Sequence, residues 1–135
     1  MLKKKRPDIA IYIRVASIDQ TTDAELEKQT EVCRNYIAIN LPEYAKDILK
    51  IPVFCDRGFS AMDMKREGLK KLTDGIASGN IRSFVTKDIS RLHRRIHEGL
   101  EFDRFLCDHH AFAILIEGGQ VIGYKPRAAI LGGEL

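Results

Sequence analysis

A chain of 135 residues with 44% hydrophobic content, 30% charged residues and a formal net charge of +3 is sized for one compact domain with a sizeable core. Its three cysteines, Cys33, Cys55 and Cys107, are odd in number and far apart, which excludes a disulfide scaffold and fits a reducing, cytoplasmic setting. No apolar run reaches the length of a membrane span, and so small a net charge does not by itself name a nucleic-acid partner.

Residues 1–8 form a basic arm through Lys3, Lys4, Lys5 and Arg6. It reads as a solubilising terminus, with a loose phosphate contact as the alternative. The apolar stretch behind it carries Arg14 and is too short for a secretory leader. Ile9–Val15, rich in β-branched residues, predicts a buried strand, followed by a polar loop from Ser17. Thr22 and Glu25 have capping-box spacing. A helix is therefore expected from there to about Asn40, with Leu26, Cys33, Tyr36 and Ile37 at helical spacing and Pro42 closing the region.

Ile51–Cys55 predicts a second strand and Asp56–Lys65 a long loop. Arg66–Ser78 predicts a helix with Leu69, Leu72 and Ile76 on one face and Gly79 as its stop. Arg82–Thr86 reads as a third strand. Leu92, Ile96 and Leu100 give a third helix, running to about Asp108, and Ala111–Glu117 a fourth strand. Strands alternating with helices predict an α/β fold, with a mainly parallel sheet of four or more strands and helices on both faces. Residues 9–120 would hold that domain. The tail 121–135 shows no clear period, and neither repeats nor interdomain linkers are visible.

Ligands of open α/β sheets gather at the carboxyl ends of the strands. Those ends deliver Arg14, Ser17 and Gln20, then Asp56, Ser60 and Arg66, then Lys87, Asp88, Ser90, Arg91, Arg94 and Arg95. Between Arg82 and Arg95 five basic residues face a single acid, Asp88. Guanidinium forks match phosphate oxygens two at a time, so this edge points to a phosphodiester or another phosphate ligand. A solvated helix face is the plain alternative for "RLHRR", although Arg91 and Arg94, three apart, would share one side of a helix.

Three segments in order carry a resemblance to the serine recombinases, the resolvase/invertase family. "YIRVASIDQ" resembles the family's Y-x-R-V-S-T-x-x-Q. "DRGFSAMDMKREGL" resembles D-x-G-x-S-G-x-x-x-x-R-P-x-L without a gap. "TKDISRLHR" is similar to the K-D-L-S-R-L-x-R of the large, transposon- or phage-type branch. "FAILIEGG" then falls where the family has its next strand and a glutamate, so the likeness covers roughly Ile9 to Glu117. It implies site-specific recombination of DNA through a 5′-phosphoserine link, with no cofactor and no metal. It makes Arg14, Arg66, Arg91 and Arg94 phosphate-stabilising groups, Gln20 and Ser60 polar supports, and Asp56 the residue that orients an arginine. Lys87 and Arg95 join Arg91 and Arg94 as DNA contacts. Dimers or tetramers of the full-length protein, without a membrane partner, are implied as well.

Arg14 and Gln20 both fix the register of the first motif, and in that register the nucleophile's position is Ala16. Ser17 stands one residue later, on the opposite side of a pleated strand. Three readings follow: a catalytically dead chain, a displaced nucleophile at Ser17, or a purely structural partner in DNA complexes. An unrelated α/β phosphate-ester enzyme is the rival outside the family. Smaller departures are Ala61 for glycine, Glu67 for proline and His93 for glycine, while Ser90 stands where small resolvases carry aspartate and large ones often serine. Members continue into a long dimerisation helix, of which "PRAAILGGEL" is expected to be only the start.

Other motifs are set aside. His93 and His97 lack the glutamate of a zinc-protease helix, and Cys107, His109 and His110 have no second ligand cluster. "GNIRS" and "EGGQVIG" match neither a dinucleotide nor a nucleoside-triphosphate loop. Cys55, at the end of an apolar strand, is expected to be buried and inert.

Overall fold

The computed structural model describes residues 8–15, 22–57, 66–93 and 95–125. Ala16, Ser17, Gln20, Ser60 and Arg94 lie outside these ranges, as do the basic arm before Asp8 and the tail after Lys125.

Strand β1, Ile9–Val15, is buried along its whole length because it runs through the middle of the sheet with helices on both faces. Period-two alternation divides it. Ile9, Ile11, Ile13 and Val15 pack against helix α1, Thr22–Asn40, through Leu26, Cys33 and Ile37. Ala10 and Tyr12 join the opposite core with Leu72 and Ile76 of helix α2, Glu67–Ala77, and Leu106 of helix α3, Ile96–Asp108. Burying each of these large side chains contributes about 1.5–3 kcal/mol.

The sheet order is β2-β1-β3-β4-β5. β2 (Val53–Arg57), β3 (Ser83–Thr86) and β4 (Phe112–Leu115) run parallel to their neighbours, and β5 (Gln120–Gly123) is antiparallel to β4. The expected α/β architecture is therefore present, with one strand more than the sequence pattern yields. β5 extends the sheet past residue 120, into the stretch read as a periodless tail. It is held by Asp103, whose carboxylate accepts the Gly123 amide at 2.8 Å. Gly123 has φ +91°, and a Cβ there would lie 2.7 Å from the Ala111 carbonyl oxygen, so only glycine fits.

Five sequence expectations are corrected. β2 sits two residues later than expected, at Val53–Arg57, which moves Asp56 out of the loop and into the strand, paired in register with Arg14. Pro42 opens a 3-10 segment, Pro42–Lys50, because a proline lacks only an amide that the first helical turn leaves unused. α3 begins at Ile96 rather than near Leu92, and Ile89–Arg91 is a separate 3-10 turn. Arg91 and His93 therefore precede the helix instead of lying on it. The expected Leu92–Ile96–Leu100 face is not the buried one either: Leu92 is buried, but Ile96 and Leu100 are 84% and 67% exposed, while Leu106, with Phe102 and Phe105, packs inward. Finally, Cys55 is exposed, because its strand is the sheet's edge.

The α2 terminus follows expectation in detail. Gly79, with φ +85°, donates to the Ile76 carbonyl at 3.1 Å, and Asn80 donates to Gly75 at 3.0 Å, the paired bonds of a Schellman stop.

Thiol chemistry should follow this layout. Burial pushes the Cys33 thiol up to about 12, which leaves it a neutral thiol at pH 8. A maleimide is expected to label Cys55 in the native protein, and Cys33 only after denaturation, by mass spectrometry of the labelled peptides. Rapid native labelling of Cys33 would contradict the packing of α1.

Candidate functional site

The connection after β1 passes through α1 to β2 on one side, and the chain then returns through α2 to β3 on the other. Connections that diverge in this way open a crevice at the carboxyl ends of β1 and β3. The β1–β2 pairing continues to Val15 and Arg57, whereas β1 and β3 pair only as far as Ile11 and Val85, so the two strands part just before Arg14.

The turn after β3 closes this crevice. Asp88 starts the turn, accepting the Ser90 amide at 2.9 Å and also the Ser90 hydroxyl. Arg14, 3% exposed, donates from Nη2 to the Ser90 carbonyl at 3.1 Å. Arg91 answers with Nη1 to the Arg14 carbonyl at 3.0 Å, and its Nε lies 3.6 Å from Asp88. Arg66, just before α2, donates to the carbonyls of Arg91 and Leu92. Three guanidiniums from three parts of the chain are thus gathered at one strand edge. Each holds main-chain carbonyl oxygen, and together they pin the 88–92 turn.

Behind them stands a buried polar relay. Asp56 accepts the Tyr12 hydroxyl at 2.6 Å and the amides of Gly68 and Leu69 at 2.7 and 2.9 Å, anchoring the start of α2. Tyr12 in turn accepts from Arg66 Nη2 at 2.7 Å, with the guanidinium 5.6 Å from its ring centre. Asp56 therefore acts on Arg66 through Tyr12. Burial, and next the bond to Asp56, raise the Tyr12 hydroxyl well above the usual tyrosine range, while Arg66 opposes the shift. The hydroxyl stays protonated and so can donate to Asp56 while accepting from Arg66.

Arg14, Asp56, Arg66, Ser90 and Arg91 converge as the sequence order of strand ends implied. Lys87 and Arg95 stand farther out. Lys87 pairs with Glu117 at 3.8 Å, and Arg95 is exposed at the start of α3. Three participants escape a reading from sequence. Tyr12 opens the first motif, but nothing in the sequence shows the hydrogen bonds it makes. Gln29, 3% exposed on α1, donates to the Arg14 carbonyl at 3.2 Å, and its only sequence signal is polarity at a core-facing helical position. Gly68 lets α2 approach β2, since a Cβ there would lie 2.4 Å from the Cys55 carbonyl oxygen. Gly68→Ala should therefore cost about 1–3 kcal/mol, read as a lowered urea midpoint, because the clash is with main chain that cannot swing aside. An unchanged midpoint would mean that α2 can lift from the edge strand.

Among the described residues no group of three or more His, Cys, Asp or Glu could hold a metal ion, and no helix is long and apolar enough to cross a membrane.

Comparison with known proteins places this geometry in a family. The chain is 29% identical over 111 residues to a Bacillus subtilis (strain 168) protein named "Putative DNA recombinase"; the match covers 82% of this chain and 20% of that protein. The chain thus spans about one fifth of the length of this curated relative. In structure it is similar to the N-terminal catalytic domain of TP901-1 integrase, with a TM-score of 0.63 at 17% identity, covering 92% of this chain and 85% of that one. It is also similar to the C-terminal catalytic domain of ISC1926 TnpA, an IS607-like serine recombinase, with a TM-score of 0.63 at 25% identity over 80% and 68% of the two chains. A resolvase-family site-specific recombinase from Streptococcus pneumoniae gives 0.63 at 21% identity over 84% and 74%. The family model for the resolvase N-terminal domain matches residues 9–127, a span that takes in every element from β1 to β5, and the chain belongs to that family.

Proposed function

We propose that this domain is the catalytic module of a serine recombinase acting on duplex DNA, and that Ala16 leaves it without the hydroxyl that would attack. The carrying observation is the side of the sheet on which the arginines gather. Tyr12 packs into the α2 and α3 core, and Arg14, two residues on, shares its face and reaches the Arg66–Arg91 cluster. Counting on by two favours position 16 over position 17 for a group meant to meet that cluster. Phosphate would be met there by Arg14, Arg66 and Arg91, with Arg94 beside them by resemblance. Gln20 and Ser60 belong to the same reading as polar supports.

In the reaction that a serine at position 16 would permit, the serine hydroxyl gives up its proton as its oxygen bonds to phosphorus, and the bond from phosphorus to the 3′ oxygen breaks. The departing 3′ oxygen takes up a proton and so leaves as a hydroxyl. Guanidiniums offset the charge on the pentacoordinate phosphorus, and the ester bond retained on serine allows resealing without a nucleotide cofactor. With Ala16 in place the full-length protein would bind DNA in the cytoplasm as a dimer or tetramer without cutting it.

The test is a covalent-adduct assay on the full-length protein with DNA from its own locus, quenched in detergent. The parent should form no adduct, Ala16→Ser should form one through the 5′ phosphate, and Ser17→Ala should change neither outcome. An adduct from the parent that disappears in Ser17→Ala would make Ser17 the nucleophile. Absence of an adduct from Ala16→Ser would remove the recombinase reading of this site.

A further inference from the structure

The Ile89–Arg91 turn and the start of α3 enclose an open hollow of about 440 Å³ lined by Ile89, Ser90, His93, Arg95 and Ile96. It adjoins the arginine crevice, since the Ser90 carbonyl is the one that Arg14 holds. Its walls are fixed. Asp88 takes both the amide and the hydroxyl of Ser90, and the His93 ring lies against Gly99, where a Cβ would come within 2.4 Å of ring carbon Cε1. Its apolar floor is open: Ile89 is 38% and Ile96 84% exposed, and Leu100, one turn beyond Ile96, is 67% exposed. Contiguous exposed apolar side chains of this size mark a contact surface.

Charge selects the occupant. Arg95 gives the rim a cation, and Arg91 adds a second in the adjoining crevice, where it holds the Arg14 carbonyl. Asp88 is engaged with Ser90 and Arg91, which leaves Glu98 as the exposed acid in the first turn of α3. An apolar floor beneath a cationic rim suits a ligand with a hydrophobic face between two negative charges, which describes a deoxyribose and its flanking phosphates. We propose that this hollow is a sugar subsite, receiving the DNA backbone unit next to the phosphate at the arginine crevice on Ile89 and Ile96. The inference rests on the reading of duplex DNA as the ligand.

Salt dependence tests it, because an apolar contact and a phosphate contact change binding differently. Binding of the 135-residue chain to a short fluorescent duplex of mixed sequence is measured over a salt series. Ile96→Ser should weaken it about 3- to 10-fold at every salt concentration, with the slope of log K against log salt unchanged. Arg95→Ala should reduce that slope by about one. Ile96 is exposed enough that its replacement leaves the fold intact, which circular dichroism checks. Unchanged affinity in Ile96→Ser, with binding weakened in Arg91→Ala, would overturn the subsite and leave the DNA reading standing. Loss of self-association in Ile96→Ser, with DNA affinity intact, would instead assign the hollow to a second copy of this chain. If neither Ile96→Ser nor Arg91→Ala altered DNA binding, the DNA reading would fail along with the subsite.

Discussion

Asp56→Ala should lower stability by about 3–5 kcal/mol, the range for removing one partner from a buried charged network. The carboxylate is 8% exposed and accepts three hydrogen bonds. Its loss leaves the Gly68 and Leu69 amides at the start of α2 unmet and deprives the Tyr12 hydroxyl of its acceptor. Each orphaned buried donor costs about 1–3 kcal/mol, and partial hydration of the helix end brings the sum back into the stated range. In a domain of this size that corresponds to a fall in Tm of roughly 10–20 °C. Asp56→Asn should fall between alanine and the parent, since one amide oxygen can still accept while the new NH2 faces donors. Thermal unfolding followed by circular dichroism decides the matter. A loss below about 1 kcal/mol in Asp56→Ala would show that α2 is held by its apolar face alone, through Leu72 and Ile76.

Arg66→Ala should have the second-largest effect, and a more local one. The guanidinium bridges the carbonyls of Arg91 and Leu92 and the Tyr12 hydroxyl, so it fastens the 88–92 turn to the relay behind the crevice. A loss of about 2–3 kcal/mol is expected, with hydrogen bonds to a charged group each contributing about 1.5–3 before the turn relaxes into water. The amides of Arg91, Leu92 and His93, which bond back to Asp88 and Ile89, should exchange at least about tenfold faster, while β1 and β3 keep their protection. Arg66→Lys should not restore them, because an ammonium is a point donor and lacks the planar fork that spans two carbonyls. Uniform exchange across the domain in Arg66→Ala would indicate global destabilisation and remove the clamp interpretation.

The sequence made the central strands legible because their chemistry is redundant. Ile9–Val15 is apolar at nearly every position, so no competing pattern fits it, and the order of elements then dictates a parallel sheet. Arg14, Arg66 and Arg91 could be placed near one another because a strand end fixes where its next residue emerges. What was hidden depends on partners distant in sequence. β5 has four residues and relies on Asp103, twenty positions earlier, for a main-chain bond. The inward face of α3 could not be chosen by counting, because Ile96 and Leu100 fit the helical period as well as Phe102 and Leu106 do. Asp56 moved from loop to strand because register with β1, a tertiary property, outweighed the break suggested by Asp56 and Gly58.

The clamping of carbonyls by guanidiniums separates ancestry from activity. In a site where arginines served the reaction alone, loss of the attacking hydroxyl would free them to drift. Here Arg14, Arg66 and Arg91 also fasten the chain to itself, so folding retains them whether or not any DNA strand is cut. If the proposed reading holds, a sequence search keyed to those arginines would gather chains without the attacking hydroxyl along with chains that have it. On the proposed reading of the site, position 16 is the residue that would sort them.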